Sequence, residues 1–432
     1  MVNYIIEGII KKGCLEMSNN CLVAQSGGPT PIINASLQGV IEAALKNEEI
    51  DKIYGARFGI NGLMDEMICD LTEERKEDIA LLKNTPGSIL GSCRYKLNNL
   101  DIDKSDYEQI FKIFKKYDIN YFFYIGGNDS MDTVAKLNQY AEFKDIDLTV
   151  MGIPKTIDND LLITDHSPGF GSAAKYIATS VMETTLDSRV YQRKNVHLIE
   201  VMGRHAGWLA AASALAGETG LQTPDLIYFP EITFSTDKFV EDLKKKAEKK
   251  DNIIVVVSEG IKDGDGNYIS AGKSSQHDQF GHKQMGGAAR SLVPYIKEYV
   301  YDRVKVIEFN VLQRAANHVA SKVDAEEAYA CGSQAVKFAL EGSASGKAVV
   351  IKRVSNQPYQ SKIELAEVDK IANREKKFPR EWINKEGNHV TKEALEYLRP
   401  LIQGEISNTT ANGLPCYSNI KAAVTVKPKS EL

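Results

Sequence analysis

The sequence predicts an α/β protein in which buried parallel strands alternate with crossover helices. Two patterns predict this class: short apolar runs end in Gly or a polar turn, and helix-like stretches follow them. The length of 432 residues exceeds what one hydrophobic core usually organises, so it predicts two domains or one elaborated α/β unit. The predicted strands cover residues 21–25, 121–125, 148–153, 196–202, 226–229, 253–258, 304–309 and 348–354. The predicted helices cover residues 34–46, 132–140, 172–187, 206–216, 236–250 and 325–341.

The composition is that of a soluble globular protein, with 43% hydrophobic and 26% charged residues. The 53 Lys and Arg residues against 58 Asp and Glu give a net charge of -5, which offers no basic surplus for nucleic acid. The six cysteines form no CxxC pair, and this pattern predicts reduced thiols in the cytoplasm. No apolar run approaches the ~20 residues of a membrane span. Residues 1–16 lack signal-peptide features, and we expect them to form an N-terminal extension.

Glycine-rich turns follow two of the predicted strands, at the edge where ligands bind to open parallel sheets. Gly27 and Gly28 follow the first strand and lead into a helix, so their amides can face an anion, although a simple tight turn has the same pattern. Gly126 and Gly127 follow the second predicted strand and precede polar residues that also suit a helix cap. Neither turn matches a P-loop or a dinucleotide fingerprint.

A third turn, after the predicted strand at 148–153, carries one cation and two carboxylates within six positions. Lys155, Asp158 and Asp160 lie in the sequence Pro-Lys-Thr-Ile-Asp-Asn-Asp. Alternation along an extended segment places Asp158 and Asp160 on one side. One carboxylate could then act as a base while the other binds a metal or orients the substrate.

These turns belong to a larger pattern that resembles the phosphofructokinase family. Its motifs occur in the same order as in the family, from about residue 20 to residue 324. Eight short motifs carry the resemblance. They are Ser26-Gly27-Gly28 with Asn34-Ala35, Gly91-Ser92-Cys93-Arg94, Gly126-Gly127-Asn128-Asp129-Ser130, Pro154-Lys155-Thr156-Ile157-Asp158-Asn159-Asp160, Gly169-Phe170, Glu200-Val201-Met202-Gly203-Arg204, Glu259-Gly260 and Gln313-Arg314.

The resemblance implies two Rossmann-like three-layer domains with mainly parallel sheets and an active-site cleft between them. It assigns residues 17–165 plus about 314–375 to a phosphoryl-donor domain, and residues 166–313 plus about 376–432 to a fructose 6-phosphate domain. It also implies a homodimer or homotetramer whose partners are small phosphorylated molecules, with no nucleic acid and no membrane.

The activity implied is the Mg²⁺-dependent, reversible transfer of a phosphoryl group to the 1-hydroxyl of fructose 6-phosphate, a step of glycolysis. Asp158 would be the base, with Lys155 as a second catalytic residue. The donor would be held by Gly27, Gly28, Arg94, Asp129 and Lys155. The sugar phosphate would be held by Thr156, Asp158, Asp160, Met202, Gly203, Arg204, Glu259, Arg303 and Arg314. Such roles suit phosphoryl transfer, which chiefly needs positioning and cations that face phosphate.

Asp129 favours pyrophosphate over ATP as the donor. It stands where ATP-using members of the family have Gly, and its carboxylate adds volume and negative charge beside the nucleotide's α-phosphate. At about 4 Å, like charges repel by roughly 4 kcal/mol at an effective dielectric constant of 20. Asn128 stands where the family usually has an aspartate associated with Mg²⁺, so metal ligation could pass to Asp129. An ATP-dependent enzyme and a non-catalytic regulatory subunit of the same fold remain the alternatives.

Overall fold

The computed structural model describes residues 19–269 and 287–420, and the chain there forms two sheets and a small hairpin. The predicted extension at residues 1–16 lies outside these ranges, as do residues 421–432. The strands are β1 Asn20–Gln25, β2 Lys52–Ala56, β3 Ile68–Asp70, β4 Ile119–Gly126, β5 Thr149–Pro154, β6 Asn195–Val201, β7 Leu226–Tyr228, β8 Asn252–Ser258, β9 Val304–Glu308, β10 Lys347–Asn356, β11 Tyr359–Glu367, β12 Thr410–Ala411 and β13 Leu414–Pro415.

The first sheet has the order β11-β10-β5-β4-β1-β2-β3, and its five central strands are parallel. Its two edge strands, β3 and β11, pair antiparallel to their neighbours. The second sheet has the order β7-β8-β6-β9 and is parallel throughout. Every residue of β1 is buried, as expected of a parallel strand that is covered on both faces. The α/β class with mainly parallel sheets is thereby confirmed.

Helices cover the faces of both sheets. They are α1 Ile33–Leu45, α2 Gly59–Met64, α3 Lys76–Ala80, α4 Ser105–Lys116, α5 Asn128–Lys144, α6 Phe170–Ser188, α7 Trp208–Ala212, α8 Thr236–Ala247, α9 Ala288–Tyr299, α10 Lys322–Leu340 and α11 Lys392–Leu398. The predicted helix at 206–216 is divided, since α7 gives way to a 3₁₀ helix over Ser213–Thr219. No helix in the described ranges is long and apolar enough to cross a membrane.

Helix α10 follows the second sheet in sequence but packs against α1 of the first. Two glycines permit the close approach: a Cβ at Gly39 would lie 2.1 Å from the carbonyl oxygen of Tyr329, and one at Gly332 would lie 2.0 Å from that of Ser36. The chain therefore returns to the first sheet after it has formed the strands of the second.

The described C-terminal residues contact both halves of the molecule. Helix α11 contributes Ala394 and Leu398 to the core that covers the second sheet. Farther along, Asn84 Nδ2 donates to the carbonyl oxygen of Ser407 at 2.7 Å, and Ser418 Oγ donates to that of Asp78 at 2.7 Å. The stretch from 407 to 418 thus lies against the first half, whereas the sequence assigned all residues after about 375 to the second.

Candidate active site

A cavity of about 750 Å³ lies where the carboxyl ends of strands from both sheets meet. Turns after β1, β4 and β5 reach it from the first sheet, and turns after β6 and β8 reach it from the second. This is the edge at which parallel sheets bind ligands. Twelve predicted site residues line it: Gly27, Gly28, Arg94, Asp129, Lys155, Thr156, Asp158, Asp160, Met202, Arg204, Glu259 and Arg314.

The turn after β1 forms a cradle above a buried lysine. Gly27 has φ +74°, and a Cβ there would lie 3.1 Å from Lys155 Nζ. The side chain of Ser92 fixes the turn by donating to the carbonyl oxygen of Gly27 at 2.6 Å. Glycine is required here because a side chain would be strained and would crowd the ammonium group.

Lys155 is the central cation of the cavity. Its residue is only 2% exposed, and Nζ donates to the carbonyl oxygen of Gly28 at 2.7 Å. Burial lowers the pKa of Lys155 to about 8, although the nearby Asp158 opposes this shift, and the charges of Arg94 and Arg314 add to it. An anion bound among these three cations would favour the charged ammonium.

Three acidic groups face the cations. Burial raises the pKa of Asp158, while Arg204 and Lys155 oppose the shift. Burial and the neighbouring Asp158 raise the pKa of Asp160 to about 7, and the same two causes raise the pKa of Glu259 to about 7. Since the cations favour the ionised form of Asp158, it is well suited to accept a proton.

Arg204 follows β6 and has one hydrogen-bond donor without a partner among the described residues. Its Nε is buried and has no hydrogen-bond partner among the described residues. A buried donor without a partner is costly unless a ligand satisfies it. This observation makes Arg204 a candidate contact for an anionic substrate.

Two predicted site residues do not line the cavity. Gly203 has φ +127°, and its carbonyl oxygen accepts a hydrogen bond from Ser258 Oγ at 2.6 Å. Arg303 precedes β9, at the amino end of that strand, whereas the cavity lies at the carboxyl ends. Arg303 therefore does not line the cavity of its own chain, and its contact with the sugar phosphate stays a prediction.

The start of α5 supplies oxygen atoms at one side of the cavity. Asp129 lies in the first turn of the helix, and the preceding Asn128 donates from Nδ2 to the carbonyl oxygen of Arg374. Asn128 Oδ1 is buried and has no hydrogen-bond partner within the described ranges. Residues 19–269 and 287–420 hold no group of three or more His, Cys, Asp or Glu residues suited to bind a metal. The site fits Mg²⁺ nonetheless, because Mg²⁺ usually takes one or two carboxylates together with water and substrate phosphates.

The sequence patterns did not identify residues 373–377, called here the bridging segment, as part of the site. Asn373, Glu375 and Lys377 of this segment line the cavity. Glu375 Oε1 lies 2.5 Å from Nδ1 of His205, which also lines the cavity, and this hydrogen bond lowers the pKa of Glu375 to about 2. The segment follows the antiparallel strand β11, and its charged residues resemble those of an exposed loop. The sequence therefore did not indicate that it lines a cavity.

Comparison with known proteins gives one family for most of the chain. The family model for phosphofructokinase matches residues 20–339. A pyrophosphate--fructose 6-phosphate 1-phosphotransferase of Halomonas elongata is 45% identical over 400 residues, covering 92% of this chain and 95% of the relative. One of Methylococcus capsulatus is 42% identical over 403 residues, covering 93% and 95%. The crystal structure of a pyrophosphate-dependent phosphofructokinase from Nitrosospira multiformis superposes with a TM-score of 0.84 at 41% identity, covering 93% of this chain and 96% of that one.

Proposed function

The chain belongs to the phosphofructokinase family, and we propose that it transfers a phosphoryl group from pyrophosphate to the 1-hydroxyl of fructose 6-phosphate. One observation carries the proposal: the buried ammonium of Lys155 lies under the Gly27–Gly28 turn, in the same cavity as Asp129 and Asp158. The relatives with 42–45% identity are named for this reaction.

The donor site is the cradle formed by Gly27, Gly28, Arg94 and Lys155. Lys155 provides a compact charge, and Arg94 can bind phosphate through two parallel hydrogen bonds. Both cations lie opposite the position where negative charge develops on the transferred group, so they lower the barrier by electrostatic stabilisation.

Asp158 acts as the general base. It takes the proton from the 1-hydroxyl as that oxygen bonds to the transferred phosphorus, and the bond from phosphorus to the bridging oxygen of pyrophosphate breaks. The products are fructose 1,6-bisphosphate and phosphate. Arg204 and Lys155 support this role because they offset the effect of burial on the pKa of Asp158.

Arg204 binds the fructose 6-phosphate. Its unpartnered Nε supplies a donor for the phosphate group, while Met202 and Glu259 lie beside it in the cavity. Arg314 lies near the donor turn, since its Nη1 would be 3.5 Å from a Cβ at Gly28. This position supports a role for Arg314 between the two substrates.

Mg²⁺ is the metal that we assign to this reaction. Asp129 and the free Oδ1 of Asn128 offer oxygen ligands beside the donor phosphates. When bound, Mg²⁺ would neutralise charge on the phosphate oxygens.

We assign the enzyme to the cytoplasm and to a homo-oligomer. The free thiols of the described cysteines suit a reducing compartment. Arg303 lies away from its own cavity, which supports a contribution to the site of a neighbouring subunit.

An enzymatic assay tests the proposed function. The purified chain is incubated with fructose 6-phosphate, Mg²⁺ and pyrophosphate, and fructose 1,6-bisphosphate is followed through coupled enzymes. Product formation in the wild type that is lost in Asp158→Asn supports the reaction. The same assay is run with ATP in place of pyrophosphate. If neither donor is used, the result would support the alternative of a non-catalytic regulatory subunit.

A further inference from the structure

Lys376 is a partly buried lysine that the reaction scheme does not use. Its Nζ donates to the carbonyl oxygen of Asp165 at 2.7 Å and to that of Thr164 at 3.3 Å, and it lies 3.4 Å from Asn159 Oδ1. It also lies 5.1 Å from the ring centroid of Trp208. No carboxylate in the described ranges forms a salt bridge with it, so backbone carbonyls and an aromatic face solvate its charge.

All three oxygens that Lys376 contacts belong to residues 158–165, the turn that carries the base. The backbone of the lysine adds a fourth link, because its N–H donates to the carbonyl oxygen of Asp160 at 2.7 Å. Asn159, which lies between the two carboxylates of this turn, is fully buried and has φ +53°. Asn tolerates this left-handed conformation better than most residues, and the N–H of Ser167, which donates to Asn159 Oδ1 at 3.0 Å, helps to fix it.

The bridging segment is itself anchored on both sides of the cavity. On the donor side, Asn373 Nδ2 donates to Asp132 Oδ1 of α5 at 2.8 Å. On the other side, Trp208 Nε1 donates to the carbonyl oxygen of Lys376 at 3.0 Å, and Lys377 Nζ donates to that of His205 at 2.7 Å. Lys376 is therefore held at a fixed distance from elements of both sheets.

We propose that Lys376 is a positioning residue for the base Asp158, acting through the backbone of the turn at 158–165. The proposal rests on the proposed function for the role of Asp158. It concerns a segment beyond residues 20–339, the range that the family model matches. A misplacement of about 1 Å can lower a rate by roughly 10²-fold, so a clamp on this turn is expected to affect catalysis more than binding.

The test replaces the charge while keeping the length of the side chain. Lys376→Met is expected to lower kcat by about 10- to 100-fold, with KM for both substrates within about 3-fold of the wild type. Lys370→Met is the matched control, since Lys370 is exposed and lies six positions earlier on the chain. Its kcat is expected to stay within about 2-fold of the wild type.

A double-mutant cycle separates positioning from general structural damage. If Lys376 acts through the carboxylate of Asp158, Lys376→Met should lower kcat by less than about 2-fold in an Asp158→Asn background. The same 10- to 100-fold loss in both backgrounds would overturn the proposal. So would a folded Lys376→Met variant with wild-type kcat, while an inactive wild type would instead contradict the proposed function.

Tyr397→Phe provides a second variant should Lys376→Met fail to fold. The hydroxyl of Tyr397 donates to the carbonyl oxygen of Asp165 at 2.7 Å and accepts from Asn159 Nδ2 at 3.1 Å. Phe keeps the ring and removes only these two bonds, so we expect kcat to fall about 3- to 10-fold with KM for both substrates unchanged. Wild-type kcat in this variant would contradict the proposed control of the turn.

Discussion

The ammonium nitrogen of Lys155 lies 2.7 Å from the carbonyl oxygen of Gly28, joining the turn after β5 to the turn after β1. This bond places a buried cation beneath the glycine pair that faces the cavity. Since Asp158 follows Lys155 in the same turn, this bond connects the proposed donor cradle to the proposed base.

Replacing the base should affect kcat. Asp158→Asn is expected to lower kcat by roughly 10²–10⁴-fold with much smaller changes in KM, since the amide keeps the shape but cannot accept the proton. Steady-state kinetics measure this, with the exposed Asp187→Asn as control. A variant that keeps more than about half of the wild-type kcat would remove Asp158 from this role.

Replacing Arg204 should weaken the binding of fructose 6-phosphate. Arg204→Ala is expected to raise KM for fructose 6-phosphate by at least about 10-fold and to leave KM for pyrophosphate nearly unchanged, because a charge-assisted bond to one substrate is lost. Arg290→Ala is the matched control, since Arg290 is exposed and pairs with Glu308. Equal increases in both KM values would argue against a contact with the sugar phosphate.

The acid limb of the pH–rate profile should depend on Asp160. Burial and Asp158 raise the pKa of Asp160 to about 7, and burial raises that of Asp158. Asp160→Asn removes a neighbouring negative charge, so Asp158 ionises more easily and the acid limb of kcat/KM should move to lower pH. An unchanged limb, or one that moves to higher pH, would contradict the coupling of the two carboxylates.

Stability should fall as the pH rises through the range in which His166 titrates. Burial opposes its charge, but Glu327 at 2.6 Å and Asp165 at 2.8 Å raise the pKa of His166 to about 9. Since an unfolded histidine has a pKa of about 6.5, this stabilisation is complete below about pH 6.5 and is lost by about pH 9, on the order of 3 kcal/mol. Urea unfolding at pH 6 and pH 9 should show a smaller difference in His166→Asn than in the wild type or in the exposed control His318→Asn. An equal difference in all three would exclude His166 as the source.

The sequence predicted four of the five central strands of the first sheet and all four strands of the second, because apolar runs are local patterns, but it missed β2. The residues assigned to the cavity followed from the family resemblance. β1 is buried at every residue and β8 at every residue but Asn252, so their apolar runs were visible. The edge strand β11 was missed because none of its residues is buried, so it has no apolar run like those of the central strands. The bridging segment could not be predicted either, because its role depends on contacts with α5 and His205 that are far away in sequence.

Donor choice should change with Asp129. Asp129→Gly is expected to shift the preference toward ATP and to weaken the use of pyrophosphate, because it removes volume and negative charge from the donor side of the cavity. Full conversion should also need Lys155→Gly, and the two changes should be non-additive, since both side chains line one cavity. An unchanged donor ratio in Asp129→Gly would show that donor choice is set elsewhere.

The most direct test of the assigned reaction is the ratio of kcat/KM for pyrophosphate to kcat/KM for ATP in the wild-type chain at saturating fructose 6-phosphate. We expect pyrophosphate to be preferred by about 10²–10³-fold, as a repulsion of roughly 4 kcal/mol between Asp129 and a nucleotide phosphate would give. Equal values for the two donors would contradict the assignment of this chain as a pyrophosphate-dependent enzyme.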